Sequence, residues 1–204
     1  MKISRLAVLL ALPLALAACG AQNNGSADGT AGAPVAAVSA EAAKTQFDVL
    51  AKDAKGFTVG SLASTRHAYV LFDPQCPHCG ELWSMTKPML NQARFTWVPV
   101  HLMRKVSAYQ GAALIGAANP AATMDAHEVE LAKGQGGMAV DEKSVPADFL
   151  AAIEKNTSIF TGFGATSVPF IVGKHAKTGE VVTISGARPP AEVAQAFGWS
   201  DAQP

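Results

Sequence analysis

Cysteine is scarce in this chain, with three in 204 residues. That is too few for a disulfide-stapled scaffold, so the fold must rest on its own core. An excess of charge of either sign is missing as well. The 16 Lys and Arg balance 16 Asp and Glu, which excludes a protein that grips nucleic acid through a basic field. No apolar run reaches the roughly 20 residues that a bilayer-spanning helix needs, and there is no internal repeat. What is there is largely apolar. Hydrophobic residues make up 49% and charged residues 16%, enough to bury a core and to exclude disorder throughout. The length allows one domain, alone or with a small appendage.

The N-terminus reads as an address. Residues 1–5 carry Lys2 and Arg5, and residues 6–18 are apolar throughout except for Pro13. A charged start, a short apolar stretch and small residues at the cut make a secretory signal. The cut falls in Leu16-Ala17-Ala18-Cys19, which resembles the lipobox of bacterial lipoproteins. The resemblance implies a signal peptide over 1–18 and lipidation of Cys19, hence a membrane anchor facing the periplasm. Each buried acyl CH₂ contributes about 0.8 kcal/mol to such an anchor. The inner-membrane retention signal known in enteric bacteria is Asp after the cysteine. Gly20 stands there, which favours the outer membrane. The alternative is an ordinary signal peptide with Cys19 incidental. Residues 19–40, rich in Gly, Ala, Asn and Ser, read as a flexible tether spanning roughly 25 Å.

Residues 41–200 carry the folded domain. Its first helix is expected over 39–54, with Phe47, Leu50, Ala51 and Ala54 on one apolar face, Ser39 as cap and Gly56 at the end. Residues 57–59 and 68–72 read as strands, the second as an apolar run suited to a central position. A helix starts near Pro77, and Pro88 kinks or ends it. Residues 95–102 read as a strand that Pro99 pushes toward an edge or a bulge. Residues 107–133 read as helix in two pieces, parted at Asn119-Pro120, followed by a glycine loop over 134–137. A helix over 145–160 places Phe149 and Ile153 on one face. Residues 170–173 and 180–185 pair about a turn at Lys177-Thr178-Gly179. A closing helix over 190–197 stops at Gly198. This order predicts an α/β fold with a mixed sheet.

The chemistry sits in Cys76-Pro77-His78-Cys79, which follows a strand and opens a helix. Two cysteines at this spacing can form a disulfide. At a helix start the backbone N–H groups and the macrodipole favour a thiolate on the first sulfur. Cys76 is therefore expected to be the exposed thiol of low pKa, with Cys79 one turn in. Pro77 fixes the turn. His78, if it points at the sulfur, stabilises the thiolate further. Once Cys19 is lipidated, the pair holds the remaining cysteines of the chain.

Other uses of the pair are open. A structural zinc site wants four ligands, but His67, His101, His127 and His175 are scattered and read more simply as surface or edge residues. Haem c attachment needs His after the second cysteine, and Gly80 stands there. Copper could use Met85 and Met89 with the cysteines, although methionine at helical spacing is more often core. An inert structural disulfide would close a loop too short to contribute much. No metal and no cofactor are expected in the preferred reading. The competing class is a metal-binding or metallochaperone lipoprotein that uses the same cysteines as ligands.

The run Phe72-Asp73-Pro74-Gln75-Cys76-Pro77-His78-Cys79, with Leu82-Trp83 and Lys87-Pro88 after it, resembles the active-site segment of the DsbC/DsbG thiol:disulfide interchange proteins. The DsbG branch is the nearer. Ser144-Val145-Pro146-Ala147, the run from Gly164 through Val168-Pro169 to Val172, and Gly186-Ala187-Arg188-Pro189 extend the match over about 57–198. The resemblance implies a thioredoxin-like fold with a helical insertion at about 103–166. It carries the redox-active cysteines onto Cys76 and Cys79, and the family's cis-proline onto Pro169, where Val168 and Pro169 bind the client backbone. It also implies client proteins bearing thiols, disulfides or sulfenic acids, and a membrane redox partner that resets the pair. Nucleic acid is not an expected partner.

The chain departs from this family in places. A tether and one helix stand where that family carries its dimerisation domain, on which its isomerase activity depends. His78 and Val168 match the oxidase DsbA instead, and Val70 stands where thioredoxin and DsbA carry a buried acid.

Overall fold

The computed structural model describes residues 40–199. The signal segment, Cys19 and nearly all of the expected tether lie outside the described residues. Within them the chain runs α1 (Ala40–Asp53), β1 (Phe57–Gly60), β2 (His67–Phe72), α2 (Pro77–Thr86), β3 (Arg94–Pro99), α3 (Lys105–Gly116), α4 (Pro120–Ala132), α5 (Ala147–Gly162), β4 (Phe170–Lys174), β5 (Val181–Ser185) and α6 (Pro190–Ala196). Three helices, α3 to α5, stand between β3 and β4. No helix among the described residues is long and apolar enough to cross a membrane.

The strands form one sheet in the order β1-β3-β2-β4-β5. β3 is parallel to β2, and every other neighbouring pair is antiparallel. β2 lies in the middle, and its side chains alternate between two cores. Ala68, Val70 and Phe72 join Leu82 and Trp83 of α2, Trp97 of β3, and Phe197. Tyr69 and Leu71 join Leu50 of α1 and Phe160 of α5. Both faces are covered, which is why β2 reads as an unbroken apolar run. Phe72 and Trp83 stand edge-on to Trp97, with ring centroids 5.4 and 5.1 Å away. Such pairs add about 0.5–1.5 kcal/mol to the burial of their area. They fix the angle at which α2 leaves the sheet.

Two expectations need correction. Pro99 does not lie on an edge strand, because β3 is flanked by β1 and β2. The Val100 N–H donates to the Phe72 carbonyl at 2.8 Å. Position 99 therefore faces the β1 side, where pairing begins only at Phe57 opposite Trp97. The missing proline N–H has no ladder partner to lose. In α1, Ala51 is exposed, and Gln46, one turn before Leu50, is buried in its stead.

Proline acts as expected elsewhere. α2 ends at Thr86, and Lys87–Met89 forms a tighter 3₁₀ turn containing Pro88, since Pro88 has no N–H to continue the helix. Asn119 caps α4, its side-chain oxygen accepting the Ala122 N–H at 3.2 Å, with Pro120 in the first turn. Asn156 of α5 is fully buried. It accepts the Lys55 N–H at 3.0 Å and donates to the carbonyls of Lys55 and Pro99, at 2.7 and 3.0 Å. One amide thus ties α5 to the start of β1 and the end of β3.

Candidate active site

β2 hands the chain to α2 through Asp73-Pro74-Gln75, and each of these three is buried. Asp73 Oδ1 accepts the Gln75 N–H at 2.8 Å. Its Oδ2 accepts the N–H groups of Leu102 and Met103, at 2.6 and 2.9 Å. The loop before α2 and the loop after β3 therefore close on a single carboxylate. The Gln75 amide donates to Gln110 Oε1 and to the Gly136 carbonyl, both at 2.7 Å. Gln110 in turn donates to the carbonyls of Gly136 and Met138, at 2.8 and 2.9 Å. Charge-assisted at Asp73 and neutral at the two glutamines, these bonds hold the residues ahead of Cys76 in one arrangement.

His127 belongs to the same scaffold, which corrects the reading of it as a surface or edge residue. It is fully buried. Its Nε2–H donates to the Pro74 carbonyl at 2.7 Å, and its Nδ1 accepts the Met138 N–H at 3.1 Å. One nitrogen donating and one accepting define the neutral imidazole, and burial pushes its pKa down. The spacing of Met124, His127 and Leu131 along α4 was the available signal for a buried face.

Cys76 caps α2 with extended backbone, and Pro77 occupies the first turn, where a missing N–H costs nothing. Both thiols are free and buried. Cys76 keeps 5% exposure and Cys79 none, so Cys76 is the accessible sulfur of the two but less open than expected. The Cys76 thiol is pulled down from 9.0 to about 6, first because the Cys79 thiol hydrogen-bonds its sulfur. The backbone N–H groups of Cys79 and His78 and the His78 charge act in the same direction, while burial opposes them. Cys79 is pushed well above 9.0 by burial and by the neighbouring Cys76 sulfur. The hydrogen bond between the two thiols and the deeper burial of Cys79 thus push two identical side chains in opposite directions, Cys76 toward thiolate and Cys79 toward thiol.

Val168 and Pro169 lie beside this pair. The Cys76 thiol donates to the Val168 carbonyl over 3.7 Å, and the Val168–Pro169 peptide is cis. Pro169 is buried and Val168 half-buried. The exposed Leu102 and Met103 follow the loop that Asp73 holds. His78 is placed otherwise than expected. Its ring is 70% exposed, and Nδ1 meets Glu81 Oε2 at 3.0 Å. Glu81 raises the His78 pKa, and the direct bond to the sulfur comes from the His78 backbone.

Among the described residues, no three His, Cys, Asp or Glu side chains gather to hold an ion. Met89 packs against the core. The sequence reading missed the clamp of Asp73, the Gln75–Gln110 link and Glu128. The Glu128 carboxylate lies against Gly80, where an added Cβ would fall on Oε2. Nothing in the order of residues marks Glu128, because α4 meets α2 only through the fold.

No protein-family model matches the chain. Over 144 residues it is 26% identical to the thiol:disulfide interchange protein DsbG of Pseudomonas aeruginosa, covering 68% of this chain and 54% of that protein. The chain thus spans about half the length of that curated relative. Among solved structures, the catalytic domain of Proteus mirabilis ScsC superposes with a TM-score of 0.62 at 15% identity, covering 80% of this chain and 99% of that one. The thiol-disulfide exchange protein alpha-DsbA2 of Wolbachia pipientis gives 0.57 at 14% identity, with 79% and 97% covered. These structures establish the thioredoxin-like fold, and the DsbG match supplies a DsbG-like sequence.

Proposed function

From a thioredoxin-like fold and a DsbG-like sequence, we propose that this chain is a periplasmic thiol:disulfide oxidoreductase, anchored by a lipid on Cys19, that exchanges disulfides with client proteins through Cys76 and Cys79. The observation that carries the reading is the asymmetry of the pair: the thiolate-forming Cys76 at the mouth of α2 and the buried, protonated Cys79 behind it. Nucleophile and resolving group need those two properties.

In the reducing direction the Cys76 thiolate attacks a client disulfide and expels a client thiolate, leaving a mixed disulfide. Cys79 then loses its proton and attacks the Cys76 sulfur. The Cys76–Cys79 disulfide forms and the second client thiolate leaves, so two electrons pass from the pair to the client. Oxidation of a client runs the same steps backwards, with Cys76 a good leaving group because its thiolate is stable. Val168 and Pro169, beside the sulfur, hold the client's extended backbone, and the exposed Leu102 and Met103 offer it an apolar rim. Clients are proteins with thiols, disulfides or sulfenic acids, and a membrane redox partner resets the pair.

The test is equilibration of the purified protein in glutathione buffers, alongside insulin reduction and metal analysis of the reduced form. The expected result is reversible formation of the Cys76–Cys79 disulfide, with insulin reduction abolished by Cys76→Ser. A strongly oxidising potential assigns a disulfide donor, a lower one a reductase or isomerase. A pair that never cycles, in a protein that retains one metal ion per chain, would instead establish the metal-binding role.

A further inference from the structure

Glu128 is an ionisable side chain that the exchange steps leave unused. It reaches from α4 to the first turn of α2, and its carboxylate occupies the space that Gly80 leaves by having no side chain. Its Oε1 is buried with no hydrogen-bond partner. The carboxyl lines a groove of about 620 Å³ with Gln75, Pro77, Glu81 and Arg104, so protons can reach it from solvent. Glu128 as a whole is half-buried, but a carboxylate with one oxygen buried and unpaired is costly, and a carboxylic acid there is less so.

No neighbouring group offsets that cost by a fixed ion pair. His127, next to it on α4, is neutral by its two bonds. Asp125, three residues earlier, is engaged by Lys87 at 2.6 Å and Trp83 at 2.7 Å. Lys133 pairs with Glu130 at 2.7 Å. From α2, Glu81 pairs with His78, and Asp73 beneath the pair is spent on backbone N–H groups. Arg104 lies on the groove wall. The charge that changes beside Glu128 during the reaction is the Cys76 sulfur. Burial first, and the negative Cys76 sulfur second, together raise the Glu128 pKa from 4.5 to about 7.

We propose that Glu128 is a redox-linked proton carrier for the cysteine pair: it takes up a proton when the pair is reduced and Cys76 becomes a thiolate, and releases it when Cys76 is oxidised. The idea rests on the pair cycling between dithiol and disulfide, as proposed above. In balanced form, a client dithiol, the Cys76–Cys79 disulfide and the Glu128 carboxylate become a client disulfide, the Cys76 thiolate, the Cys79 thiol and the Glu128 carboxylic acid. Two electrons move from client to pair. Of the two client thiol protons, one goes to Cys79 and one to Glu128. The negative charge moves from the Glu128 carboxylate to the Cys76 thiolate, so these two groups are not charged together in this step. Glu128 acts on the sulfur through charge, as a positioning residue. The sign follows from like-charge repulsion: the disulfide carries no charge, so Glu128 ionises at lower pH in the oxidised protein than in the reduced one.

Infrared difference spectroscopy of the full chain in detergent, reduced with dithiothreitol minus oxidised at pH 7, tests this. The expected result is a protonated-carboxyl band gained on reduction and lost in Glu128→Gln. A second comparison does not depend on that variant folding. The carboxyl band of the reduced wild type should titrate near pH 7, and that of Cys76→Ser at a lower pH. A wild-type pair that cycles with no such band, or one band midpoint shared by wild type and Cys76→Ser, overturns the proposal and leaves the exchange function standing. A pair that dithiothreitol and oxidant cannot cycle overturns the exchange function itself.

Discussion

At the scale of single residues, the site works by giving two cysteines opposite surroundings. The folded-state pKa of Cys76, about 6, lies below its ordinary 9.0. Its contribution to the stability of the reduced protein is therefore complete above pH 9 and is lost as pH falls through 6. Thiolate absorbance of the reduced protein should show half-titration near pH 6, absent in Cys76→Ser, and iodoacetamide near that pH should label Cys76 alone. Labelling of Cys79 in its place would reverse the assigned roles. His78 is a weaker lever than its position suggests. Its charge is exposed and paired with Glu81, where salt screens it, and its backbone N–H survives substitution. His78→Tyr should raise the Cys76 half-titration only slightly, and less in high salt. A return to the ordinary thiol range would mean that the imidazole itself carries the effect.

At the scale of elements, strands and helices were largely legible because their signals are local. Pro77, Asn119-Pro120 and Gly198 punctuate helices by backbone chemistry that acts within one turn. Pro99 misled because its tolerance depends on where β1 begins, two residues short of reaching it, and that is a property of the neighbouring strand. The polar stitches between elements were illegible for the same reason. Asn156 binds backbone of Lys55, 101 residues away in sequence. Asn156→Ala leaves those buried groups unpaired and should lower stability by about 1–3 kcal/mol. Urea unfolding measures it, and an unchanged midpoint would show that water replaces the amide without cost. His127 and Gln75 belong to the same class: polar side chains whose burial is set by the helix packed over them.

At the scale of the molecule, the proposal separates a folded domain from its anchor. The proposed lipid site, Cys19, lies ahead of the described residues, and Cys76 and Cys79 lie within them. Cys19→Ser should release the protein from membranes with its insulin-reducing activity intact. A variant that stays membrane-bound after processing refutes the lipid anchor, and one that is released but inactive refutes the independence of the domain.

The order of residues by itself determined the α/β class, the positions of the strands and helices, and the location of the cysteine pair. Those depend on apolar periodicity, on proline and glycine backbone limits, and on a helix start placed directly after a strand, all within a few residues. Only the tertiary structure decided which polar groups are buried, and so which charges the pair feels. It folded α4 over α2, brought the Glu128 carboxyl to Gly80, locked His127 as neutral and set His78 against Glu81. The reason is physical. Coulomb interaction and desolvation depend on distance through space and on exclusion of water, and neither is a function of separation along the chain.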